Sequence, residues 1–278
     1  MPMPHPSDAR RPGPRPDLAS SLFSRCNLPP WQIASIQFQD DPCPIELDGV
    51  RSTDRRLFER LAKVADPEER GWLFHDYVSV KFRLHEWSEH RASARESLRH
   101  SYVQFLHGWG ADSNGRAGAV LKGWVESRFG LQATYHKGRL ADDASAREQY
   151  WTDRMHGATR TVGVAMQLDL LYTFCQEELV RRFPGERWLT LYRGTHDPDE
   201  YALRESDGAH GRIVRLNNLS SFSADPEVAW EFGSMVWRVD VPLPKVLFFS
   251  GLLPRHLLGG ESEYLVLGGD YRVQPLMY

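Results

Sequence analysis

Two glutamates near the C-terminus are spaced so that they could share a chemical task. Glu261 and Glu263 stand two residues apart, directly before the apolar run Tyr264–Leu267. Successive side chains of a strand point to opposite faces, so both carboxylates are expected on one face. Like charges so placed repel and tend to raise each other's pKa, which suits a pair that handles protons and positive charge. Two solvated glutamates on an exposed strand have the same spacing, so the pair alone does not identify a site.

A second candidate group is an arginine and a glycine at the end of an apolar strand pattern. Arg193 and Gly194 follow the run Trp188–Tyr192. Arginine offers a rigid fork that can hold a phosphate through two hydrogen bonds, and glycine lets a ligand approach the backbone closely. An ordinary strand end with a charged residue and a turn gives the same pattern.

A third group consists of two serines on either side of an aromatic residue. Ser221 and Ser223 enclose Phe222, just before a helix expected to start at Pro226. In a strand the two hydroxyls would face the same way. A serine before a helix is also a common capping residue, so this group too has an ordinary interpretation.

The order of the three groups is more specific than any one of them. Ser221 follows Arg193 by 28 residues, and Glu261 follows Ser221 by 40. In this order they resemble the arginine, Ser-x-Ser and Glu-x-Glu motifs of the arginine-serine-glutamate class of mono-ADP-ribosyltransferases, over roughly residues 187–276. Phe222 stands where the class often has threonine.

The resemblance implies NAD as substrate and a role for each matching residue. Glu263 would hydrogen-bond the ribose and stabilise its developing positive charge, and Glu261 would orient the incoming guanidinium and accept its proton. Arg193 would hold the NAD phosphates, and the Gly194 backbone would approach the nicotinamide amide. Ser221 would position Glu263, and Ser223 is expected among the NAD-binding residues. No metal is implied.

Further matches lie in the N-terminal half. The runs Asn27–Trp31 (NLPPW), Ile45–Val50 (IELDGV) and Phe74–Tyr77 (FHDY), together with Leu191–Gly194 (LYRG) in the C-terminal region, are similar to those of the dinitrogen-reductase ADP-ribosyltransferases. This resemblance implies that the target is an arginine of the nitrogenase iron protein. It also implies a PII signalling protein as regulatory partner.

The elements that must position these residues can be read from periodicity. The fold class is predicted as α+β, with a helical N-terminal half packed on a C-terminal antiparallel β region. The resemblance implies that this β region is of ADP-ribosyltransferase type. We expect a disordered tail over 1–17, a mainly helical region over 18–184 and an NAD-binding β-rich catalytic region over 185–278. Within the second region, residues 18–50 are expected to be irregular because prolines interrupt them.

Predicted helices comprise three between Ser52 and Trp109, one at Ala117–Phe129, a long pattern over 145–183 broken near Gly157 or Gly163, and Pro226–Phe232. Predicted strands comprise Trp188–Tyr192, Ile213–Leu216, Met235–Val241, Val246–Phe249, Tyr264–Leu267 and Tyr271–Val273.

Composition narrows the classes of function. With 278 residues and 41% hydrophobic content the chain can bury a large core, and its net charge of -3 disfavours a nucleic-acid binder that relies on phosphate attraction. Three widely spaced cysteines, the lack of an apolar signal segment and the lack of a membrane-spanning run predict a cytoplasmic protein. Neither a Rossmann motif nor a P-loop occurs. The histidines lack the spacing of a metal motif; they include His75, His85, His90, His100 and His107.

Three alternatives remain open from the sequence. The chain could be a non-catalytic module that binds NAD, or it could modify an arginine of another protein. A glycosidase also uses two carboxylates, but neighbours on one strand lie side by side rather than across a bond, so this reading ranks last. The helical half carries no motif of the class, and we expect it to recognise the target and the regulator.

Overall fold

The computed structural model describes residues 24–84, 101–158, 162–196, 202–206, 212–255, 257–258 and 263–276. Over these residues helices come first and an antiparallel sheet follows, so the predicted α+β class is confirmed. The expected disordered tail, 1–17, lies outside the described residues, as does Glu261.

Most of the helices lie in the N-terminal half. They are α1 (Pro30–Ile33), α2 (Ile36–Asp40), α3 (Val50–Thr53), α4 (Arg55–Leu61), α5 (Pro67–Lys81), α6 (Tyr102–Ala111), α7 (Arg116–Phe129), α8 (Ala144–Ala158), α9 (Val162–Arg182) and, among the strands, α10 (Pro226–Trp230). Within the described ranges, none of them is both long enough and apolar enough to cross a bilayer.

Local signals explain where several of these helices begin and end. Asp66 caps α5 by accepting a hydrogen bond of 2.9 Å from the Glu69 amide, and Pro67 occupies the first helical position. Gly130 ends α7 in the left-handed conformation, with φ of 69°. The long helical pattern over 145–183 corresponds to α8 and α9, and residues 159–161 between them lie outside the described residues, so the predicted break stays a prediction.

The strands form a six-stranded sheet in the order β2-β3-β1-β4-β6-β5, with an additional pairing of β3 with β6. They are β1 (Trp188–Thr195), β2 (Ala202–Ser206), β3 (Arg212–Ser223), β4 (Met235–Pro242), β5 (Val246–Phe249) and β6 (Glu263–Leu276). Strands β3 and β6 pair along most of their length, whereas β1 and β3 share the single pair Tyr192 and Ser223. Strands β1 and β3 therefore meet at the end of β3 that carries the two serines.

A bulge in β3 ties the sheet to the helices. The register of the β3–β6 pair shifts at Asn217 and Asn218, opposite Gly268. A Cβ atom on Gly268 would lie 1.9 Å from the carbonyl oxygen of Asn217, so this crossing requires glycine. The Asn218 amide group donates to the backbone oxygens of Lys122 (2.9 Å) and Leu131 (3.0 Å). The bulge thus fixes β3 against α7.

A continuous cluster of buried apolar side chains includes members from the helices and from the sheet. Phe74 of α5 stacks on Phe174 of α9, with ring centroids 4.4 Å apart. On the same helix α9, Gln176 donates a hydrogen bond of 2.7 Å to the backbone oxygen of Val246 in β5. Helical and strand-rich regions therefore share packing, and the positions of site residues on the sheet depend on the helices.

The prediction of an irregular segment over 18–50 is wrong for part of its length. Residues 30–33 and 36–40 form α1 and α2. Pro30 stands at the first position of α1, where a missing amide costs nothing, and Ser35 caps α2 by accepting from the Phe38 amide at 3.2 Å. Pro30 therefore begins a helix instead of interrupting regular structure.

Two strand predictions are corrected by the structure. The segments predicted separately at 264–267 and 271–273 are one strand, β6, because Gly268 and Gly269 lie within it opposite the bulge. Strand β3 extends from Arg212 to Ser223 and so includes the whole Ser-Phe-Ser group. Strand β2 was not predicted.

A buried lysine lies where the sheet turns from β4 to β5. Lys245 has no exposed surface, and its Nζ donates to the backbone oxygen of Gly268 at 3.1 Å. The ammonium also lies 4.4 Å from the ring centroid of Tyr271 and 5.6 Å from that of Phe38. Burial lowers the pKa of Lys245 to about 7, although Asp270 acts in the opposite direction.

We expect this lysine to make folding stability depend on pH. Above the folded pKa the native state releases the proton while the unfolded chain keeps it up to about 10.5, so stability rises with pH across this window. The rise is at most about 1.4 kcal/mol per pH unit. Urea unfolding between pH 6.5 and 9.5 should show a flatter pH dependence for Lys245→Met than for the wild type, while the exposed-residue control Lys63→Met keeps the wild-type slope. Parallel curves for Lys245→Met and the wild type would contradict this assignment.

Candidate active site

Glu263, the first residue of β6, is held by β3 on one side and by Ser250, the residue that follows β5, on the other. On one side it pairs with Ser223 of β3. On the other, its amide donates to Ser250 Oγ at 3.0 Å, and its carbonyl oxygen accepts from the Ser250 amide at 2.8 Å. These contacts fix the backbone from which the carboxylate projects.

Ser221 holds the carboxylate itself. Ser221 pairs with Leu265, two residues beyond Glu263, so the serine and the glutamate share one face of the β3–β6 pair. Ser221 Oγ donates to Glu263 Oε1 at 2.9 Å. The structure therefore brings together two residues that are 42 positions apart and that the motif order predicts to act together.

The surroundings of Glu263 make its negative charge costly to keep. Burial raises the pKa of Glu263, and the hydrogen bond from Ser221 lowers it only in part. No ion pair of this carboxylate is found among the residues that the structure describes. A half-buried carboxylate of this kind attracts a positive charge that develops nearby.

Arg193 lies next to the same serine. Its Nη1 donates to the backbone oxygen of Ser221 at 2.6 Å, across the point where β1 and β3 meet. The structure thus places the arginine, the serine and Glu263 in one contact chain. Its predicted contact with phosphate stays a prediction.

The residue between the two serines has a clear packing role. Phe222 is 3% exposed, and the guanidinium carbon of Arg193 lies 6.0 Å from its ring centroid. Ser223 Oγ accepts a hydrogen bond of 3.0 Å from the Asp225 amide, in the turn that leads into α10. The structure therefore gives Ser223 a local role in this turn, and its predicted role in NAD binding stays a prediction.

Gly194 allows α10 to lie directly against β1. A Cβ atom at Gly194 would be 2.0 Å from the carbonyl oxygen of Ala229, and one at Gly233 would be 2.2 Å from the Thr195 amide nitrogen. Both positions therefore require glycine. The sequence predicted a close approach at Gly194 by a ligand; the close approach seen is made by the chain's own helix.

Sequence reasoning missed one residue of this site. Trp109, near the end of α6, donates from Nε1 to Ser221 Oγ at 2.8 Å. It is 4% exposed and lies 112 positions before the serine. A tryptophan in a helix has no local signal for such a contact, because its periodicity reports burial only.

The structure does not describe every predicted residue. Glu261 lies outside the described residues, so its spacing to Glu263 is known from the sequence alone. Where the chain is described, no group of three or more His, Cys, Asp or Glu could hold a metal. His75 hydrogen-bonds Tyr102 and His107 hydrogen-bonds the Leu257 backbone oxygen. His85, His90 and His100 are not described.

Known proteins are similar to this chain over almost its whole length. The family model described as "Dinitrogenase reductase ADP-ribosyltransferase" matches residues 23–275. A curated relative from Rhodospirillum rubrum, NAD(+)--dinitrogen-reductase ADP-D-ribosyltransferase, is 42% identical over 266 residues, which cover 94% of this chain and 96% of the relative. No solved structure matches the chain. The match spans the helices as well as the sheet, and the chain belongs to the dinitrogenase reductase ADP-ribosyltransferase family.

Proposed function

We propose that this chain transfers ADP-ribose from NAD to an arginine of dinitrogenase reductase, the nitrogenase iron protein, releases nicotinamide and thereby inactivates nitrogenase. The relative from Rhodospirillum rubrum carries the corresponding name. The observation that carries the proposal is the half-buried Glu263 carboxylate, which is oriented by the Ser221 hydroxyl. We also propose a cytoplasmic location, since the three cysteines are free thiols.

The first half of the reaction is the departure of nicotinamide. The bond between the ribose carbon and the nicotinamide nitrogen breaks, and its electron pair leaves with the nicotinamide. Positive charge then develops on the ribose carbon and ring oxygen, as in glycoside hydrolysis. Glu263 stabilises this charge more in the transition state than in the ground state, which is the requirement for catalysis.

The second half is the capture of the ribose by arginine. A guanidinium nitrogen forms the new bond to the ribose carbon, and the proton that it loses passes to Glu261. A base is needed because arginine is fully protonated in water and attacks poorly in that state. The role of Glu261 rests on its spacing to Glu263 and on the resemblance.

NAD binding is assigned to residues around the same contact chain. Arg193 would hold the phosphates and the Gly194 backbone would approach the nicotinamide amide, with Ser221 and Ser223 completing the site. The position of Arg193 beside Ser221 supports its part in this assignment. The remaining parts rest on the resemblance.

The direct test uses purified dinitrogenase reductase and NAD labelled separately in the adenine and in the nicotinamide. We expect the adenine label to enter the target and the nicotinamide label to appear free in equal amount. Labelling of another protein in a diazotroph extract, with none in dinitrogenase reductase, would show that the target is wrong. Binding of NAD without nicotinamide release would show that the chain is a non-catalytic NAD module.

A PII signalling protein is the regulatory partner that the resemblance implies, and we propose that the helical surface receives it together with the target. Substitutions of exposed side chains on α8, including Trp151 and Met155, offer a way to examine this surface. They should weaken labelling of the target or binding of PII while hydrolysis of NAD continues. Equal losses of labelling and hydrolysis in every variant would contradict this division of labour.

Replacing Arg193 by lysine should weaken NAD binding while the fold survives. Lysine keeps one charge but loses the planar fork, so we expect the Kd for NAD to rise roughly tenfold. Stability should fall slightly, because Arg193 also donates to Ser221. The matched control is Arg238→Lys: Arg238 pairs with Tyr192, the neighbour of Arg193, and therefore lies on the opposite face of the sheet. Calorimetric titration with NAD measures the Kd of each variant. If Arg193→Lys bound NAD with the wild-type affinity, Arg193 would not belong to the NAD site.

A further inference from the structure

A chain of hydrogen bonds runs from the helical half into the catalytic carboxylate. Trp109 of α6 donates to Ser221 Oγ at 2.8 Å, and Ser221 Oγ donates to Glu263 Oε1 at 2.9 Å. Trp109 is almost fully buried, at 4% exposure. The Glu263 carboxylate is therefore linked, through the Ser221 hydroxyl, to a tryptophan in a helix.

The chemistry of the three groups fixes the direction of this chain. An indole N–H can only donate, whereas a serine hydroxyl has one proton and two acceptor positions. Trp109 therefore occupies an acceptor position of Ser221, and the single hydroxyl proton points to Glu263. Without the indole the hydroxyl could rotate and donate elsewhere. The tryptophan thus decides which way the serine faces.

A buried cation, Lys122, makes the indole N–H of Trp109 a stronger hydrogen-bond donor. Lys122 of α7 is 1% exposed, and its Nζ lies 5.9 Å from the ring centroid of Trp109. Hydrogen bonds of 3.0 Å to Asn114 Oδ1 and to the Tyr135 backbone oxygen hold it there. A cation over the indole face draws electron density from the ring and makes the N–H a better donor, and donors in series polarise one another.

This arrangement suits a site that must stabilise positive charge. A cation placed directly against Glu263 would neutralise it and would repel the charge that develops on the ribose. A neutral indole and a neutral hydroxyl stabilise the carboxylate without adding a positive charge beside the reacting carbon. The positive charge of Lys122 acts from behind the tryptophan, outside the contact with Glu263.

We infer that Trp109 is a positioning residue for the transferase reaction, which orients the Ser221 hydroxyl toward Glu263 and is itself polarised by Lys122. The inference rests on the proposed function. It assigns part of the catalytic apparatus to the helical half of the chain.

The first test replaces Trp109 by phenylalanine, which keeps an aromatic ring and removes the N–H. We expect kcat for nicotinamide release to fall roughly three- to tenfold, the usual range for one hydrogen bond, with the KM for NAD changed less than about twofold. Weaker donation by Ser221 raises the pKa of Glu263, so the acidic limb of the pH–kcat profile should move to higher pH. Arg193, which contacts Ser221, Lys122, which lies by Trp109, and Glu261, two residues from Glu263, are present in both proteins and do not account for a difference.

The matched control is Trp124→Phe. Trp124 is also 4% exposed and also donates one hydrogen bond of 2.8 Å, to Asp169 of α9. Both variants lose an indole N–H from a buried tryptophan, so the temperature of thermal unfolding should fall by a similar amount in each. Only Trp109→Phe should change kcat and the pH profile. Equal changes in the two variants would mean that Trp109 acts through packing, and would overturn the inference.

A double-mutant cycle and a second variant complete the test. In a Ser221→Ala background Trp109→Phe should cause no further loss, because its effect passes through the hydroxyl. Lys122→Met keeps the indole N–H of Trp109 but removes the cation beside it. The acidic limb of its pH–kcat profile should therefore move to higher pH, by less than in Trp109→Phe. An unchanged limb in both Trp109→Phe and Lys122→Met, or a full additional loss in the Ser221→Ala background, would overturn the role of Trp109. Absence of nicotinamide release by the wild type would instead refute the proposed function.

Discussion

Glu263→Gln should lose both nicotinamide release and labelling of dinitrogenase reductase, each by roughly 10²- to 10³-fold. The amide has nearly the same shape and can still accept the hydrogen bond from Ser221. What it lacks is the charge that faces the developing cation, which acts in the step common to hydrolysis and transfer. The two activities should therefore fall together.

Stability separates this effect from damage to the fold. Burial raises the pKa of Glu263 in the folded protein, so at neutral pH the ionised form costs folding free energy. Removing the charge should leave the thermal unfolding temperature unchanged or higher. Loss of activity together with retained or increased stability is the result expected for a residue kept for function rather than for folding.

Glu177→Gln serves as the matched control. Glu177 of α9 is also a partly buried glutamate whose pKa is raised by burial, but it pairs with Arg51 on the helical side. The same chemical change there should leave both activities near the wild-type level. If Glu263→Gln retained wild-type nicotinamide release, the proposed role of the carboxylate would be wrong.

Glu261→Gln should separate the two activities. It removes the group that prepares the guanidinium but leaves the sugar carboxylate in place. Water is a small nucleophile that needs less orientation, so it can still capture the ribose cation. Transfer to arginine should fall by roughly 10²- to 10⁴-fold, the range for loss of a general base, while nicotinamide release continues.

The measurement follows free nicotinamide and label in the target from the same reaction. Wild type should give equal amounts, and Glu261→Gln should give nicotinamide with little label. Equal losses in both assays would mean that the two glutamates act as one unit, and the separate role of Glu261 would have to be withdrawn. Hydrolysis without target, measured in parallel, controls for a change in NAD binding.

The helical half contributes to the site as well as to recognition. Trp109 contacts Ser221, and Asn218 anchors β3 to the backbone of α7. A substitution in the helices can therefore lower the rate of nicotinamide release even where the substituted residue does not contact NAD. Tests of target recognition on the helical surface need to use exposed positions for this reason.

Much of the local structure follows from short-range sequence signals. Asp66, Pro67 and Gly130 mark helix ends through interactions within a few residues, so these ends follow from the local sequence. The order of Arg193, Ser221 and the glutamates indicated the transferase class because it resembles the order of that class's motifs. Errors arose where a local signal has two meanings: Pro30 begins a helix, and Gly268 lies inside a strand.

Which side chains contact each other depends on how the helices and the sheet pack together. The contact between Trp109 and Ser221 joins residues 112 positions apart, and Phe222 acquires its role from the guanidinium of a neighbouring strand. Gly194 is required by the helix packed against it, as the distance to Ala229 shows. Periodicity reports which face of an element is buried, but not which partner covers it. The partner depends on how helices and sheet pack together, and that packing orients the catalytic carboxylate.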